Sequence, residues 1–370
     1  MKKLFSLLLV LSLLLCGCGK ASAPETVPAT EVPVTEAPTT EPATEPTTEP
    51  TTVPTTEPPV FYHPLNGKQL DAPYTGRIVA NTVANTSDDI PHVGVPQADI
   101  LFEVYASYGV VRCLALYSDI SEVEAMGSIR SSRPVFNDLA QHYDALLIHG
   151  GGSSAVMWEA DNMGIDHLNV DSLYRYPQDP HQLTAYRTPN RVSPYNLYAN
   201  GPGILKYAEF AGIDMTRPED TTYGLNFAED GTPNGESALE IHTWFGQYTK
   251  DTTMTYDETL GKYVWTQYWG QTMKDEITDE VEAFTNVLIL RAANTGSSGV
   301  YQTVDFVTGG HGWFACGGKF IPVLWNCADD TSPIRLTTHE GEEVYLGAGN
   351  TYIGVIDMKN EVKIDGVVQQ

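Results

Sequence analysis

From residue 21 to residue 60 the chain is dominated by Thr, Pro and Glu, with recurring Thr-Glu-Pro, seven Glu and no Lys or Arg. A tract so poor in large apolar residues cannot bury enough surface to offset the entropy of ordering, and its prolines favour extended polyproline geometry. It is expected to be a disordered stalk. Roughly forty residues at about 3.1 Å each reach up to about 120 Å. Whatever folds must therefore come from the roughly 310 residues that follow, enough for one large domain or two ordinary ones.

Ahead of the stalk, residues 1–20 read as an export signal. Lys2 and Lys3 form a charged start, and Leu4 to Leu15 form an apolar run too short for a stable spanning helix. Leu15-Cys16-Gly17-Cys18 matches a bacterial lipobox. Cys18, preceded by the small Gly17, is the expected lipidation site, because Cys16 follows bulky Leu15. The mature chain would then begin at an acylated cysteine on the outer face of a membrane. A long stalk suits a domain held off that membrane through a thick wall, which points to a Gram-positive envelope.

The whole chain carries 21 Lys+Arg against 47 Asp+Glu, a formal charge of −26. Without the three lysines and seven glutamates of residues 1–60, 18 and 40 remain, leaving the folded part near −22. Such a surface argues against nucleic acid and anionic lipid as general partners. Yet six of the ten arginines fall between Arg112 and Arg191.

That interval contains the stretch around which the fold is expected to form, Gly127 to Ser154. Pro134 suits the first position of a helix, with Ser131 or Ser132 as cap, and Val135, Phe136, Leu139, Ala140 and Tyr143 recur at helical spacing. Arg130 and Arg133 then lie at the positive end of that helix, where cations are disfavoured by about 0.3–1 kcal/mol each. An anion beside them would compensate, either a ligand or an internal carboxylate. Tyr143 to His149 reads as a buried strand, Gly150-Gly151-Gly152 as a tight turn, and Ser153 or Ser154 as the cap of a second helix ending at Gly164. No Gly-Lys-Ser/Thr follows the glycines, so this is not a Walker loop. The His-Gly-Gly-Gly run has the look of an esterase oxyanion loop, but the chain holds no Gly-x-Ser-x-Gly elbow.

Residues 97–105 and 110–117 read as two strands joined near Ser107-Tyr108-Gly109, with Glu103 and Arg112 as a cross-strand pair. Residues 165–205 are loop-rich, and Tyr174-Arg175-Tyr176, Tyr186-Arg187 and the segment from Arg191 to Tyr198 concentrate aromatic and guanidinium groups suited to sugar or peptide contacts or to loop packing. Gly201 to Phe210 opens a short helix. From about 236 the pattern turns to short strands: 254–256, 263–266, 286–291, 301–307, 313–316, 319–325, 334–338 and 344–346. Asp257, Trp265, His311, Trp313 and Trp325 would line a groove or, more in keeping with Trp, the core. The expected class is α+β, with a mixed α/β part over 61–225 and a mainly antiparallel β part over 236–360.

Beyond the lipidated Cys18, three cysteines remain after processing: Cys113, Cys316 and Cys327. An odd number cannot pair fully, and Cys316 and Cys327 lie at opposite ends of one hairpin, so all three are expected as buried thiols. The nine histidines show no metal spacing, and no carboxylate pair stands out for glycoside chemistry, so neither metal nor cofactor is expected.

Taken together, several of these segments resemble the YerB-like lipoproteins of Gram-positive bacteria, whose domain is labelled as of unknown function. The resemblance is carried by Pro64-Leu65-x-Gly67, Asn85, Gln97-Ala98-Asp99 with Glu103, Arg112, Gly127-x-x-Arg130-Ser131-x-Arg133-Pro134, Tyr143-Asp144, His149-x-Gly151-Gly152-Ser153 and Pro194-x-Asn196-Leu197-Tyr198. Gly310-x-Gly312, Gly318-Lys319, Trp325 and Leu346-Gly347-x-Gly349-Asn350-Thr351 extend it, so that it covers about 61–358. Two departures stand out: Ser107-Tyr108-Gly109 replaces the family's Glu-Gly-Gly turn, and Tyr195 replaces its usual His. The second counts against a His-dependent enzyme or marks a divergent member. The resemblance implies an extracytoplasmic lipoprotein of α/β or α+β fold and brings no activity with it.

The expectation is thus a membrane-tethered binding protein for an anionic or sugar-peptide envelope ligand, with a cell-wall hydrolase or transferase and a protein-assembly factor as alternatives. Its candidate ligand contacts are Glu103, Arg112, Arg130, Ser131, Arg133, His149, Gly151, Gly152, Ser153, Arg191 and Asn196.

Overall fold

The computed structural model describes residues 60–107, 109–175, 184–245, 250–293 and 301–370, with the side chains of Tyr174 and Arg175 excepted. The export signal, the stalk, Cys18, Tyr108 and Tyr176 lie outside the described residues.

Strands dominate and helices are few. The central element is an eleven-stranded mixed sheet. From one edge its order is Glu236–Ser237, Lys319–Cys327, Gly310–Cys316, Asn286–Ala292, Thr351–Asp357, Ile100–Ser107, Val110–Tyr117, Val79–Ala84, Leu146–His149 and His167–Asn169, with Ile334–Thr337 paired beside Lys319–Cys327. Strands from before residue 225 and from after residue 236 therefore share one sheet; the join is the parallel pairing of Thr351–Asp357 with Ile100–Ser107.

Seven of these strands run the same way; Lys319–Cys327, two antiparallel steps from Asn286–Ala292, is one of them. Asn286–Ala292, Thr351–Asp357 and Ile100–Ser107 are mutually parallel, as are Val79–Ala84, Leu146–His149 and His167–Asn169. Val110–Tyr117 lies between the two groups and is antiparallel to both of its neighbours, which aligns the groups. Their carboxyl ends consequently meet along one edge.

Both faces of the sheet are covered, so its strands are apolar on both sides. On one face, Phe102, Val104, Leu114 and Leu116 pack with Val135, Phe136, Leu139 and Ala140 of helix α1, Pro134–His142, and with Ala160 of helix α2, Ser154–Met163. On the other, Leu101, Tyr105, Cys113 and Ala115 meet Ile241, Met254, Tyr263 and Trp265 of a second, antiparallel sheet. That sheet runs Gln271–Thr272, Lys262–Gln267, Asp251–Asp257, Glu240–Trp244, Val362–Ile364, Val367–Val368, with Ala283–Phe284 also paired to Lys262–Gln267. The short helices α3, Val170–Arg175, and α4, Gly201–Ala211, complete the chain order of helices.

Several local expectations need correction. Pro134 does open α1, but the cap is Arg133, which offers no capping side chain, and Ser132 Oγ instead hydrogen-bonds Asn137 Oδ1 at 3.0 Å. Residues 301–307 do not form a continuous strand: Tyr301 makes a single bridge to Ser107, and Phe306 packs into the helix-side core. Glu103 and Arg112 are not a cross-strand pair. Glu103 stands opposite Cys113 and Arg112 opposite Val104, so alternation sends the two charges to opposite faces. Trp265, Trp313 and Trp325 are buried in the core, and the three cysteines are free and buried.

Candidate functional site

The carboxyl edge of the parallel strands is where ligands settle in open α/β sheets. Here two chain segments lie side by side at that edge. The Gly150 N–H donates to Arg130 O at 2.9 Å and the Ser132 N–H to Gly151 O at 2.9 Å, while the Arg130 N–H reaches Thr82 O. Gly151 holds φ of 90°, a conformation that only glycine adopts without strain, and this turns its carbonyl to accept from both Ser132 and His149. Ser153 caps α2 through Val156 N, and Gly164 ends it in left-handed conformation. Close approach at Gly127 has a different basis: a Cβ there would meet the Tyr198 ring at 2.3 Å.

Three guanidinium groups gather on this platform. Arg112, 8 % exposed, donates from Nη1 to Ser131 O at 2.8 Å, the one hydrogen bond of its side chain among the described residues. Arg133 reaches the same oxygen at 3.5 Å, donates to Ser132 O at 2.7 Å and to Ser107 Oγ at 3.1 Å, and lies over the Tyr301 ring at 5.1 Å. Arg130 lies over the Tyr195 ring at 5.2 Å and faces Asp89 with Nη1 and Oδ1 3.5 Å apart. Both of those atoms are buried and neither has a hydrogen-bond partner. Asp89 spends its other oxygen on Thr86 N and Oγ1. Among the described residues neither Arg112 nor Arg133 forms an ion pair. Burial, then the charges of Arg133 and Arg130, push Arg112 down to about 9. Burial lowers Arg133 as well, with Tyr301 opposing and Arg130 adding to the effect. A guanidinium does not lose its proton in a protein; the direction expresses positive charge held away from water without a counter-charge.

His149 closes one side. Its Nδ1 lies 2.8 Å from Gly151 O and must donate to it, which leaves Nε2 to accept from His167 Nδ1 at 3.0 Å. His167 Nε2 in turn faces Asp161 at 3.2 Å. Burial holds His149 down to about 4, so it is neutral.

The other expected contacts are held differently. Glu103, fully buried, belongs to the opposite face, where it binds Asn85, Lys250, Thr252 and Tyr352. Arg191 clamps Asp89 O and Pro91 O and pairs with Glu276 at 3.0 Å. Asn196 accepts from Arg187, which also pairs with Asp171 at 2.5 Å. Gly152 lies in the turn before α2. Sequence reasoning did not find Asp89, Ser107, Tyr301 or His167. The Thr86-Ser87-Asp88-Asp89 turn was a local signal for the first; the others are assembled only by strand register.

As chemistry, the cluster can hold an anion. Ser131 Oγ donates to Gly150 O, Ser153 caps a helix, and burial pushes the thiols up, Cys316 to about 11 and Cys327 to about 12, so none of these groups is an activated nucleophile. Among the described residues no group of three or more His, Cys, Asp or Glu is placed to hold a metal ion. No described helix is long and apolar enough to cross a membrane.

The architecture and edge site are those of a strand-rich protein built on two large sheets, with a cluster of arginines at the carboxyl edge of the larger one. Two family models match the chain, "Protein of unknown function (DUF3048) N-terminal domain" over residues 65–214 and the corresponding C-terminal domain over residues 241–353. The chain belongs to this YerB-like family. It is 24 % identical over 307 residues to YerB of Bacillus subtilis strain 168, whose name marks it as a candidate lipoprotein, covering 79 % of this chain and 88 % of that one. The crystal structure of Bacillus subtilis YerB superposes with a TM-score of 0.70 at 23 % identity, covering 82 % of this chain and 99 % of the other.

Proposed function

We propose that this chain is a lipid-anchored extracytoplasmic protein that binds an anionic envelope ligand at the carboxyl edge of its central sheet. The observation that carries the reading is Arg112: a guanidinium 8 % exposed, beside two others, with no carboxylate paired to it among the described residues. A buried charge of this kind is costly unless paired, and a bound anion supplies the pair. Ser131 holds Arg112 through its carbonyl, Arg130 and Arg133 stand beside it, and the turn at Gly151, which bonds Ser132 and His149, lies next to them; Arg191 and Asn196 are held by other partners. Anchoring rests on the lipobox at Cys18 and on the relative's name. Cell-wall polymer and envelope protein are the candidate bearers of the anionic group.

Thermal melts of Arg130→Ala and Arg133→Ala, with and without added phosphate, test the reading. Both variants should lose the rise in midpoint that phosphate gives; Arg133→Ala should otherwise keep a midpoint close to that of the unchanged protein, whereas Arg130→Ala leaves the buried Asp89 carboxylate unpaired and should lower it. A large fall in midpoint with no anion effect in any variant would show the arginines to be structural. Cys18→Ala should move the protein from the membrane to the soluble fraction, and Cys16→Ala should not.

A further inference from the structure

We infer that the anion held by the arginine cluster is a doubly charged phosphoryl group, as in a phosphomonoester, and not a carboxylate or a phosphodiester. This rests on the anion-binding reading above and adds the charge and chemistry of the ligand. The argument begins with a charge count. Arg112, Arg130 and Arg133 bring three positive charges, and the one carboxylate among them is Asp89, 3.5 Å from Arg130. Arg191, on the other side of Asp89, is matched by Glu276. Among the described residues the cluster therefore carries a net charge of two. A carboxylate or phosphodiester leaves one positive charge unanswered in a buried place, whereas a phosphomonoester carries about −1.5 to −2 at pH 7.

Donor geometry points the same way. Each guanidinium presents five N–H groups in a planar fork that matches phosphate oxygens two at a time. Arg112 spends one guanidinium donor on protein, and the Arg130 guanidinium makes no hydrogen bond among the described residues. Tyr195 and Tyr301 lie against the guanidinium planes of Arg130 and Arg133, which fixes the forks before a ligand arrives. The amino ends of α1 and α2 open on the same edge and add their partial positive charge.

The test is a calorimetric titration of the full-length, detergent-solubilised protein with methyl phosphate, dimethyl phosphate and acetate. At pH 7.5 methyl phosphate should bind at least about tenfold more tightly than either monoanion, the factor expected for one further charge pair. The advantage should shrink at pH 5, because the second proton of a phosphomonoester leaves near pH ~6. Arg133→Gln should weaken methyl phosphate more than dimethyl phosphate. Equal binding of all three probes would overturn the dianion and leave the anion site standing; binding of none would overturn both. Vesicles containing phosphatidic acid, added as competitor, separate two sources of the same group: competition assigns it to a lipid headgroup, and its absence to a soluble or wall-borne monoester.

Discussion

The Glu103 carboxylate and the Lys250 ammonium meet at 2.7 Å between the two sheets, with side chains 0 % and 5 % exposed. The remaining valences of the pair are filled. Glu103 also accepts from Asn85 Nδ2 at 2.7 Å, Thr252 Oγ1 at 2.7 Å and the Tyr352 hydroxyl. Lys250 donates to Thr252 Oγ1 and Gln267 Oε1, and the rings of Phe245, Trp265 and Tyr268 stand around it. The pair fastens the central sheet to the second sheet at a place where apolar contact alone would allow sliding.

Removing one partner strands the other charge in the core. Lys250→Met alone or Glu103→Gln alone should cost on the order of 3–5 kcal/mol in urea unfolding, and the double variant should recover much of that loss, since a buried pair replaced together is often nearly neutral. Additive losses in the double variant would mean that the two residues act independently.

The aspartate at the centre of α1 offers a test with the opposite polarity. Burial first, then the charges of Glu159 and Asp330, raise the Asp138 carboxyl from its usual 3.8 to about 7. Between those values the folded chain holds a proton that the unfolded chain releases, so this group's contribution to stability declines as pH rises from about 4 to about 7. Asp138→Asn removes the ionisation. It should raise the thermal midpoint at pH 8 and leave it nearly unchanged at pH 3.5. A midpoint lowered at pH 8 would mean that the charged carboxylate has a stabilising partner.

Much of this was legible in the chain because local rules agreed with each other. Pro134 at the first helical position, Ser153 as a cap with Gly164 as a stop, and the two apolar runs on either side of the turn at 107–109 each specified their element. What sequence did not provide was adjacency. Thr351–Asp357 inserts between Asn286–Ala292 and Ile100–Ser107, joining segments some 250 residues apart in a parallel pairing that no turn signal announces. The same holds at the site. Arg130 and Gly151 were expected near each other, yet Asp89 and Tyr301 enter it from distant loops. A one-residue difference in register is also what separates Glu103 from Arg112, since period-two alternation turns a slip of one into a change of face. Tyr195 proves to be the ring beneath Arg130.

The chain of imidazoles at the site edge makes the last prediction. His149 is fully buried, with Nδ1 on Gly151 O and Nε2 on His167 Nδ1, and burial holds it down to about 4 from an ordinary 6.5. The groups facing the relay are His167 from the neighbouring strand and Asp161 from α2. Because the folded value is depressed, the unfolded chain binds the extra proton first as pH falls. The contribution of His149 is therefore whole above pH 6.5 and is lost between there and about pH 4. At about 1.4 kcal/mol per unit, the full loss approaches roughly 3 kcal/mol. His149→Gln should lower the midpoint at pH 7.5 modestly, through the weakened bond to Gly151, and should flatten the fall in midpoint between pH 7 and pH 4.5. An unchanged acid profile in the variant would show that the neutral imidazole is not what acid attacks, and would move that sensitivity to the carboxylates instead.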